Sequence, residues 1–538
     1  MLSTMMRCPL LVSSILERAG KLFGDAAIVS ANADGSYARS TMLNLHQRSR
    51  RLSAALQGSG ISRGDRVATL MWNQLEHLEA YFAVPSVGAV LHTLNFRLHP
   101  DDVAYIVRHA EDRFLIVDSR LLDVLERIRS KVQLQRVFVV GDVQNGLPEG
   151  TESYEAFLNG TDGMPVYPDL DEEAAAAMCY TSGTTGTPKG VLYSHRSISL
   201  HALAISLPDQ LSLSRFDTVL PIASMFHVNA WGLPYAAAMN GSRVVLPGQN
   251  LRAEALLDMM EREQVTVAAS VPAVLQTILQ ATDEHPGRWK LADGLRILVA
   301  GSAAPDSMFR RFDKLGVRLI HAWGMTETSP IAAVSRVNPG MAEWSPDAVY
   351  EKRGRQGAPL PFIDVRVVND SGEAAWDGAA DGELQVRGPW IAGAYHGGQQ
   401  PEKWTADGWL KTGDVATIDS DGYLKLTDRL KDLIKSGGEW ISSVDLESAL
   451  MDHDSVRAAA VIAVPHPKWQ ERPLALVILK DGWVIEDREL RSFLEQRFAR
   501  WQVPDAFVRV KELPYTPTGK LMKSKLRQEF STWEWDRL

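Results

Sequence analysis

Short apolar runs recur along the chain at residues 67–70, 114–117, 137–140, 219–222, 243–246, 265–271 and 295–300. Between them lie stretches with helical periodicity, such as 44–56, where Leu45, Leu52 and Leu56 share one face. Strand-like and helical segments in alternation predict a layered α/β architecture, in which helices cover the faces of a sheet. From about Val365 the texture changes. Turns at Asp370-Ser-Gly, Asp381-Gly-Glu, Asp407-Gly and Asp421-Gly separate short strands, which predicts a small β-rich subdomain.

A chain of 538 residues exceeds what one core supports, so at least two domains are expected. A second domain is expected after Asp428-Arg429-Leu430-Lys431, with strands at 458–464 and 474–479, a helix over 488–500 and a final loop at 514–520. The expected division is therefore 1–430 and 431–538, the second part being a small α+β domain. Hydrophobic residues make up 45% and charged residues 23%, an ordinary globular balance. With a net charge of −9 and no long basic run, nucleic acid is not an expected partner. The two cysteines, Cys8 and Cys179, form neither a disulfide framework nor a metal spacing, which fits a cytoplasmic protein. Leu11, Ile15, Leu16 and Ala19 suit one face of a short helix rather than a signal peptide, and no apolar run is long enough to span a membrane.

The run Tyr180-Thr-Ser-Gly-Thr-Thr-Gly-Thr-Pro-Lys189-Gly190 packs hydroxyls, glycines and one lysine between two apolar segments. Glycines let backbone N–H groups turn toward an anion, while the hydroxyls and the lysine add donors and charge. Such a loop suits phosphates, although the Gly-Lys-[Ser/Thr] of a Walker A loop is absent. A flexible linker is the bland alternative. Further on, Gly324-Met-Thr326-Glu327 follows a strand-like run, so Thr326 and Glu327 fall where ligands bind in open α/β sheets. One carboxylate plus phosphate oxygens is a usual Mg²⁺ arrangement. Gly301-Ser-Ala303 follows another buried run, and its small residues allow flat contact with a nucleobase or simply a helix entry.

These strings resemble the adenylate-forming enzymes, the family of acyl-CoA synthetases, peptide-synthetase adenylation domains and firefly luciferases. The resemblance covers almost the whole chain. It looks closest to medium- and long-chain fatty acyl-CoA ligases and to methylmercaptopropionate-CoA ligases. It implies that Thr181, Ser182, Gly183, Thr184, Thr185, Gly186 and Lys189 cradle the phosphates of ATP. By the same likeness, Gly301, Ser302 and Ala303, with His321, Ala322, Trp323, Gly324 and Met325, line the adenine site. Trp323 stands where the family more often has Tyr; a core tryptophan is the alternative. Thr326 is implied on the α-phosphate, and Thr184 and Glu327 on Mg²⁺.

Trp409-Leu-Lys-Thr-Gly-Asp414 matches the family's ribose motif, with Arg429 across the ribose from Asp414. Pro514-Tyr-Thr-Pro-Thr-Gly-Lys520 implies that Lys520 is the catalytic cation at the attacking carboxylate. Lys523 and Lys525 read as surface charge. Lys431 falls at the family's domain hinge, and Ser436, Gly437 and Gly438 where pantetheine passes. In Met225-Phe-His227-Val-Asn-Ala-Trp231, His227 is implied at the acyl site. Trp231 is implied as the residue that closes the fatty-acid tunnel. If that stretch is helical, the two face one side.

The implied reaction joins a carboxylic acid to the α-phosphate of ATP, releasing pyrophosphate, and then passes the acyl group to coenzyme A. A medium-chain fatty acid is the expected substrate. A short or thioether acid such as methylmercaptopropionate is the alternative. Two other acceptor chemistries share these motifs: loading of a separate carrier protein, and luciferase-type oxidation. A catalytically dead nucleotide-binding protein is disfavoured, because Glu327, Asp414, Arg429 and Lys520 are all present. The resemblance also hints at a homodimer, to which residues 10–16 are expected to contribute.

Overall fold

The computed structural model describes residues 3–535, apart from 33, 144–145, 161–162, 182–186, 437–438 and 517–520. Two large, mostly parallel sheets form the body of the N-terminal part. The first has nine strands, with Arg318–Gly324, Arg296–Val299, Val267–Ser270, Thr218–Pro221, Arg243–Leu246 and Ala27–Ala31 parallel at its centre and antiparallel strands at both edges. The second has seven, with the antiparallel pair Ala175–Tyr180 and Gly190–Ser194 at one edge. Central parallel strands are covered on both faces, which explains why Ala68, Leu70, Leu115, Val117, Leu298 and Ile297 form unbroken apolar runs.

The helices that cover the sheets follow from their apolar stripes. Asp306–Lys314 buries Met308, Phe309 and Phe312 and turns its charged face outward; each such side chain contributes about 1.5–3 kcal/mol. Leu75–Ser86 is buried over most of its length, its buried Glu79 carboxylate paired with Arg48 at 2.5 Å. A five-stranded antiparallel sheet, Gly372–Glu373, Asp364–Asn369, Gly382–Arg387, Leu410–Ile418 and Leu424–Arg429, forms the expected β-rich subdomain.

Beyond it, a smaller domain is built on Glu439–Ile441, Ile434–Ser436, Gln470–Leu479, Val456–His466 and Ala506–Arg509. The two apolar clusters on either side of this sheet draw all their residues from beyond position 433. The chain is thus a mixed α/β protein with a large N-terminal and a small C-terminal domain.

Two expectations need correction. The helix expected over 488–500 ends much sooner, spanning Asp487–Leu494, because the following turns tighten and the Gln502 side chain captures the Ala499 N–H at 3.1 Å. The N-terminal helix Val12–Leu22 buries Ile15 and Leu16 in the chain's own core, so residues 10–16 do not offer an apolar dimer surface; Leu10 alone of their leucines is exposed. No helix among the described residues is long and apolar enough to cross a membrane.

Candidate active site

Strands Arg296–Val299 and Arg318–Gly324 are parallel neighbours, with Val299 beside His321, so the loops after them emerge together. The first loop carries Gly301, Ser302 and Ala303. The second carries Met325, Thr326 and Glu327, held in a short 3₁₀ turn by a Met325 N–H bond to Thr328 Oγ1 at 2.8 Å. Gly324 has no alternative at the bulge between them, since a Cβ there would fall 1.7 Å from the Pro330 carbonyl oxygen. His321 is buried, its Nδ1 2.7 Å from Gly354 O; burial lowers its pKa, against the opposing pull of nearby Gly354, Ser302 and Arg355 backbone groups. The imidazole is neutral at pH 7 and sits beside the Ser302 loop.

The phosphate-type loop leaves the other sheet. Thr181 N–H donates to Lys189 O at 2.9 Å and Lys189 N–H to Thr181 Oγ1 at 3.1 Å, which closes the loop's base. The return strand begins at Gly190, where a Cβ would meet Met178 Cε at 2.4 Å. From that strand, the Tyr193 hydroxyl donates to Thr326 O at 2.8 Å, tying the two sheets together at the site. Ser182, Gly183, Thr184, Thr185 and Gly186 lie outside the described residues, as do Gly437, Gly438 and Lys520.

Asp414 and Arg429 are register partners on adjacent strands of the β-rich subdomain, Arg429 Nε lying 3.2 Å from Asp414 Oδ1. The other carboxylate oxygen accepts the Trp323 indole N–H at 3.0 Å. Asp414 is thereby fixed against the indole that the motif assigns to the adenine. The carboxylates of Asp414, first, and of Asp432 and Glu327 raise the Arg429 pKa, which places the guanidinium in the field of both motif carboxylates. Glu327 is 4% exposed; its Oε1 accepts from the Tyr395 hydroxyl and its backbone O accepts from Ala392 N–H at 2.8 Å.

No group of three or more metal-ligating side chains occurs among the described residues. The donor chemistry fits a single Mg²⁺ shared with phosphate oxygens: one hard carboxylate, with Oε2 accepting no hydrogen bond from the described residues.

At the acyl end, the helical reading of residues 227–231 is overturned. Val228, Asn229, Ala230 and Trp231 have φ of 40°, 42°, 50° and 57°, and Gly232 follows at 75°. This is a left-handed turn, so the spacing rule of a right-handed helix does not relate His227 to Trp231. Cys179 Sγ donates to Asn229 Oδ1 at 2.7 Å, pinning the turn to the strand that feeds the phosphate-type loop. Trp231 is 5% exposed and packs into the main core. His227 and Thr181 line one small cavity of about 10 Å³ with Thr93, Tyr180 and Phe226, which brings His227 beside the base of the loop.

On the small domain, Ser436 is buried and its Oγ accepts from Arg472 at 3.0 Å; Lys431 is exposed after the last strand of the β-rich subdomain. Lys525 is exposed as expected, but Lys523 is not surface charge. It is 8% exposed, 2.8 Å from Glu447 and bonded to Ser443 Oγ at 2.5 Å, and Ser443 N–H donates to Asp428 at 2.7 Å. Burying a lysine needs such a partner.

Motif reading missed Lys523, Tyr193 and Tyr395. Only the last leaves a trace in the sequence, as an aromatic within the glycine-rich stretch 393–398.

The chain matches the AMP-binding enzyme family over residues 16–396 and the AMP-binding enzyme C-terminal domain over residues 445–520. It is 46% identical over 534 residues to a long-chain-fatty-acid–CoA ligase of Thermus thermophilus, covering 99% of this chain and 97% of that protein. It is 43% identical to a 3-methylmercaptopropionyl-CoA ligase of Ruegeria pomeroyi, with 98% and 99% covered. It is 42% identical to a medium-chain-fatty-acid–CoA ligase of Ectopseudomonas oleovorans, with 98% of each covered. Its fold superposes on a crystal structure of an anthranilate CoA ligase in complex with anthranoyl-AMP with a TM-score of 0.86 at 27% identity, covering 97% and 98% of the two chains. The glycine-bounded loop, the Thr326–Glu327 turn and the Asp414–Arg429 pair are thus features of a chain that belongs to the AMP-binding enzymes.

Proposed function

We propose that this chain is an ATP-dependent acid–thiol ligase. It activates a carboxylic acid as acyl-AMP with release of pyrophosphate and then transfers the acyl group to coenzyme A. The observation that carries this reading is the convergence of Thr181 and Lys189 at the loop's base, Glu327 and the Trp323–Asp414–Arg429 group, with His227 beside Thr181. Asp414 accepts the ribose hydroxyls, held in place by Trp323 and Arg429. Lys189 and the loop's hydroxyls bind the phosphates, with Thr326 at the α-phosphate. Thr184 and Glu327 hold Mg²⁺, which neutralises charge on the phosphates when bound.

Lys520 carries the cation at the attacking carboxylate, lowering the repulsion between it and the α-phosphate. Lys431 is the hinge between domains 1–430 and 431–538. Rotation there brings Ser436, Gly437 and Gly438 to the thiol path. We assign the enzyme to the cytoplasm and to a homodimer.

The substrate we favour is a medium-chain fatty acid, with Trp231 closing the acyl tunnel. The relatives act on long-chain, medium-chain and methylmercaptopropionate acids at similar identity. The second reading is a short thioether acid, supported by the 43% identity to a 3-methylmercaptopropionyl-CoA ligase. The test is acyl-CoA production from ATP, Mg²⁺ and coenzyme A across straight-chain acids from acetate to palmitate plus methylmercaptopropionate. A maximum at medium chains supports the first reading. A maximum at the thioether or shortest acids replaces the substrate, and pyrophosphate without acyl-CoA replaces the acceptor.

A further inference from the structure

We propose that Tyr395 is a positioning residue that fixes the Glu327 carboxylate for its cation, an inference that rests on reading Glu327 as the Mg²⁺ ligand. Glu327 sits on a single 3₁₀ turn, where its backbone has little regular support and its long side chain needs outside partners to hold one orientation. One segment, 392–404, supplies that support from both ends. Ala392 N–H donates to the Glu327 carbonyl at 2.8 Å, and the Tyr395 hydroxyl donates to Oε1. The segment is itself braced. The Trp404 indole N–H donates to Ala392 O at 2.7 Å, and its ring meets the Tyr395 ring edge-on at 5.2 Å.

The consequence is geometric. With Oε1 held by the phenol, Oε2 is the oxygen left for a cation, in one orientation. The same Tyr395 ring lies 5.9 Å from Lys189 Nζ, so it stands between the metal carboxylate and the lysine of the phosphate-type loop. Tyr395 is 6% exposed, so the arrangement does not compete with bulk water. Groups that orient a ligating carboxylate typically change metal affinity about 10–100-fold when removed.

The test is Mn²⁺ binding to the full chain with a non-hydrolysable ATP analogue, read by the electron paramagnetic resonance of free Mn²⁺, so that it does not depend on turnover. Tyr395→Phe keeps the ring against Trp404 and removes only the hydroxyl. It is expected to weaken Mn²⁺ about tenfold while leaving metal-free nucleotide affinity unchanged. Glu327→Gln is measured alongside, and in that background Tyr395→Phe is expected to add nothing. Trp404→Phe, which frees Ala392 O and keeps an aromatic ring, is expected to weaken Mn²⁺ a few-fold and serves if Tyr395→Phe does not fold. Unchanged Mn²⁺ affinity in Tyr395→Phe, with Glu327→Gln impaired, overturns the positioning role and leaves the metal assignment standing. Unchanged affinity in Glu327→Gln overturns the assignment of Glu327 and this inference with it. Equal loss of Mn²⁺ and metal-free nucleotide affinity in Tyr395→Phe marks a merely structural hydroxyl and also overturns it.

Discussion

The proposed nucleotide end of the site and the proposed acyl end are built on different physics. Trp323, Asp414, Arg429 and Glu327 all lie outside the left-handed region, although a bulge and a 3₁₀ turn interrupt the strand beside them, and their side chains fix one another through paired charges and hydrogen bonds. Around residues 228–232 the side chains are mostly apolar, and the backbone carries the unusual feature, four consecutive non-glycine residues in the left-handed region. Each such residue costs roughly 1–2 kcal/mol and persists only where surrounding packing holds it. The first region is organised by polar complementarity; the second is held against strain by its neighbours, above all Cys179 and His201. Changes in the first should therefore act on ATP, and changes in the second on the acid.

The largest effect is expected at Lys520, the proposed cation at the attacking carboxylate. Lys520→Ala should reduce acyl-AMP formation about 10²–10³-fold, as loss of one transition-state stabiliser does, while thioester formation from supplied acyl-AMP stays near wild type. Parallel loss in both half-reactions, measured by rapid quench, breaks the two-step division. At the nucleotide end, Gly324→Ala drives a Cβ into Pro330 O and should destabilise the chain by about 3 kcal/mol or more, with ATP affinity failing first. Urea denaturation with and without ATP checks this.

Trp323→Phe keeps an aromatic ring but deletes the bond to Asp414. Hydrogen bonds to charged groups are worth about 1.5–3 kcal/mol, so KM for ATP should rise roughly tenfold or more with acyl preference unmoved. At the acyl end, Gly232→Ala combines a φ of 75° with a Cβ 2.6 Å from His201 Nδ1. It should cost about 1–3 kcal/mol and shift the preferred acid, with KM for ATP unchanged. A shift in ATP affinity alone would erase the contrast between the regions.

The last effect is a pH dependence of stability. His201 Nε2 accepts the Ile331 N–H at 3.2 Å, and burial pushes its pKa down to about 3. Unfolded, it titrates near 6.5, so below that pH the unfolded chain binds a proton that the folded chain refuses. Its stabilising contribution is complete above about pH 6.5 and falls as pH drops toward 3, by up to about 1.4 kcal/mol per unit. Buried His77, its pKa pushed to about 4, adds to the same trend. Denaturation at pH 7.5 and 5.5 should show the loss, and His201→Gln should reduce it by about half, the His77 contribution remaining.

What could be read from the sequence follows the same division. The Thr326–Glu327 turn was legible because it follows a strand-like run, whereas the Asp414–Arg429 pair was legible only through the likeness of residues 409–414 to a family motif. Strand geometry then places the side chains. The left-handed turn was not legible. Positive φ is ordinarily signalled by glycine or asparagine, and here only Asn229 and Gly232 carry that signal beside Val228, Ala230 and Trp231. Lys523 was misread for another reason. Its burial depends on Glu447 and Asp428, far off in sequence, and no local pattern announces a lysine's partner. Tyr395 likewise acts across 68 residues on Glu327.

The central claim, that this chain forms an acyl adenylate, is tested most directly by acid-dependent exchange of labelled pyrophosphate into ATP without coenzyme A. The account predicts exchange that requires both a carboxylic acid and Mg²⁺ and that collapses in Lys520→Ala. Absence of exchange with every acid from acetate to palmitate and with methylmercaptopropionate, or formation of ADP and phosphate in its place, would contradict it.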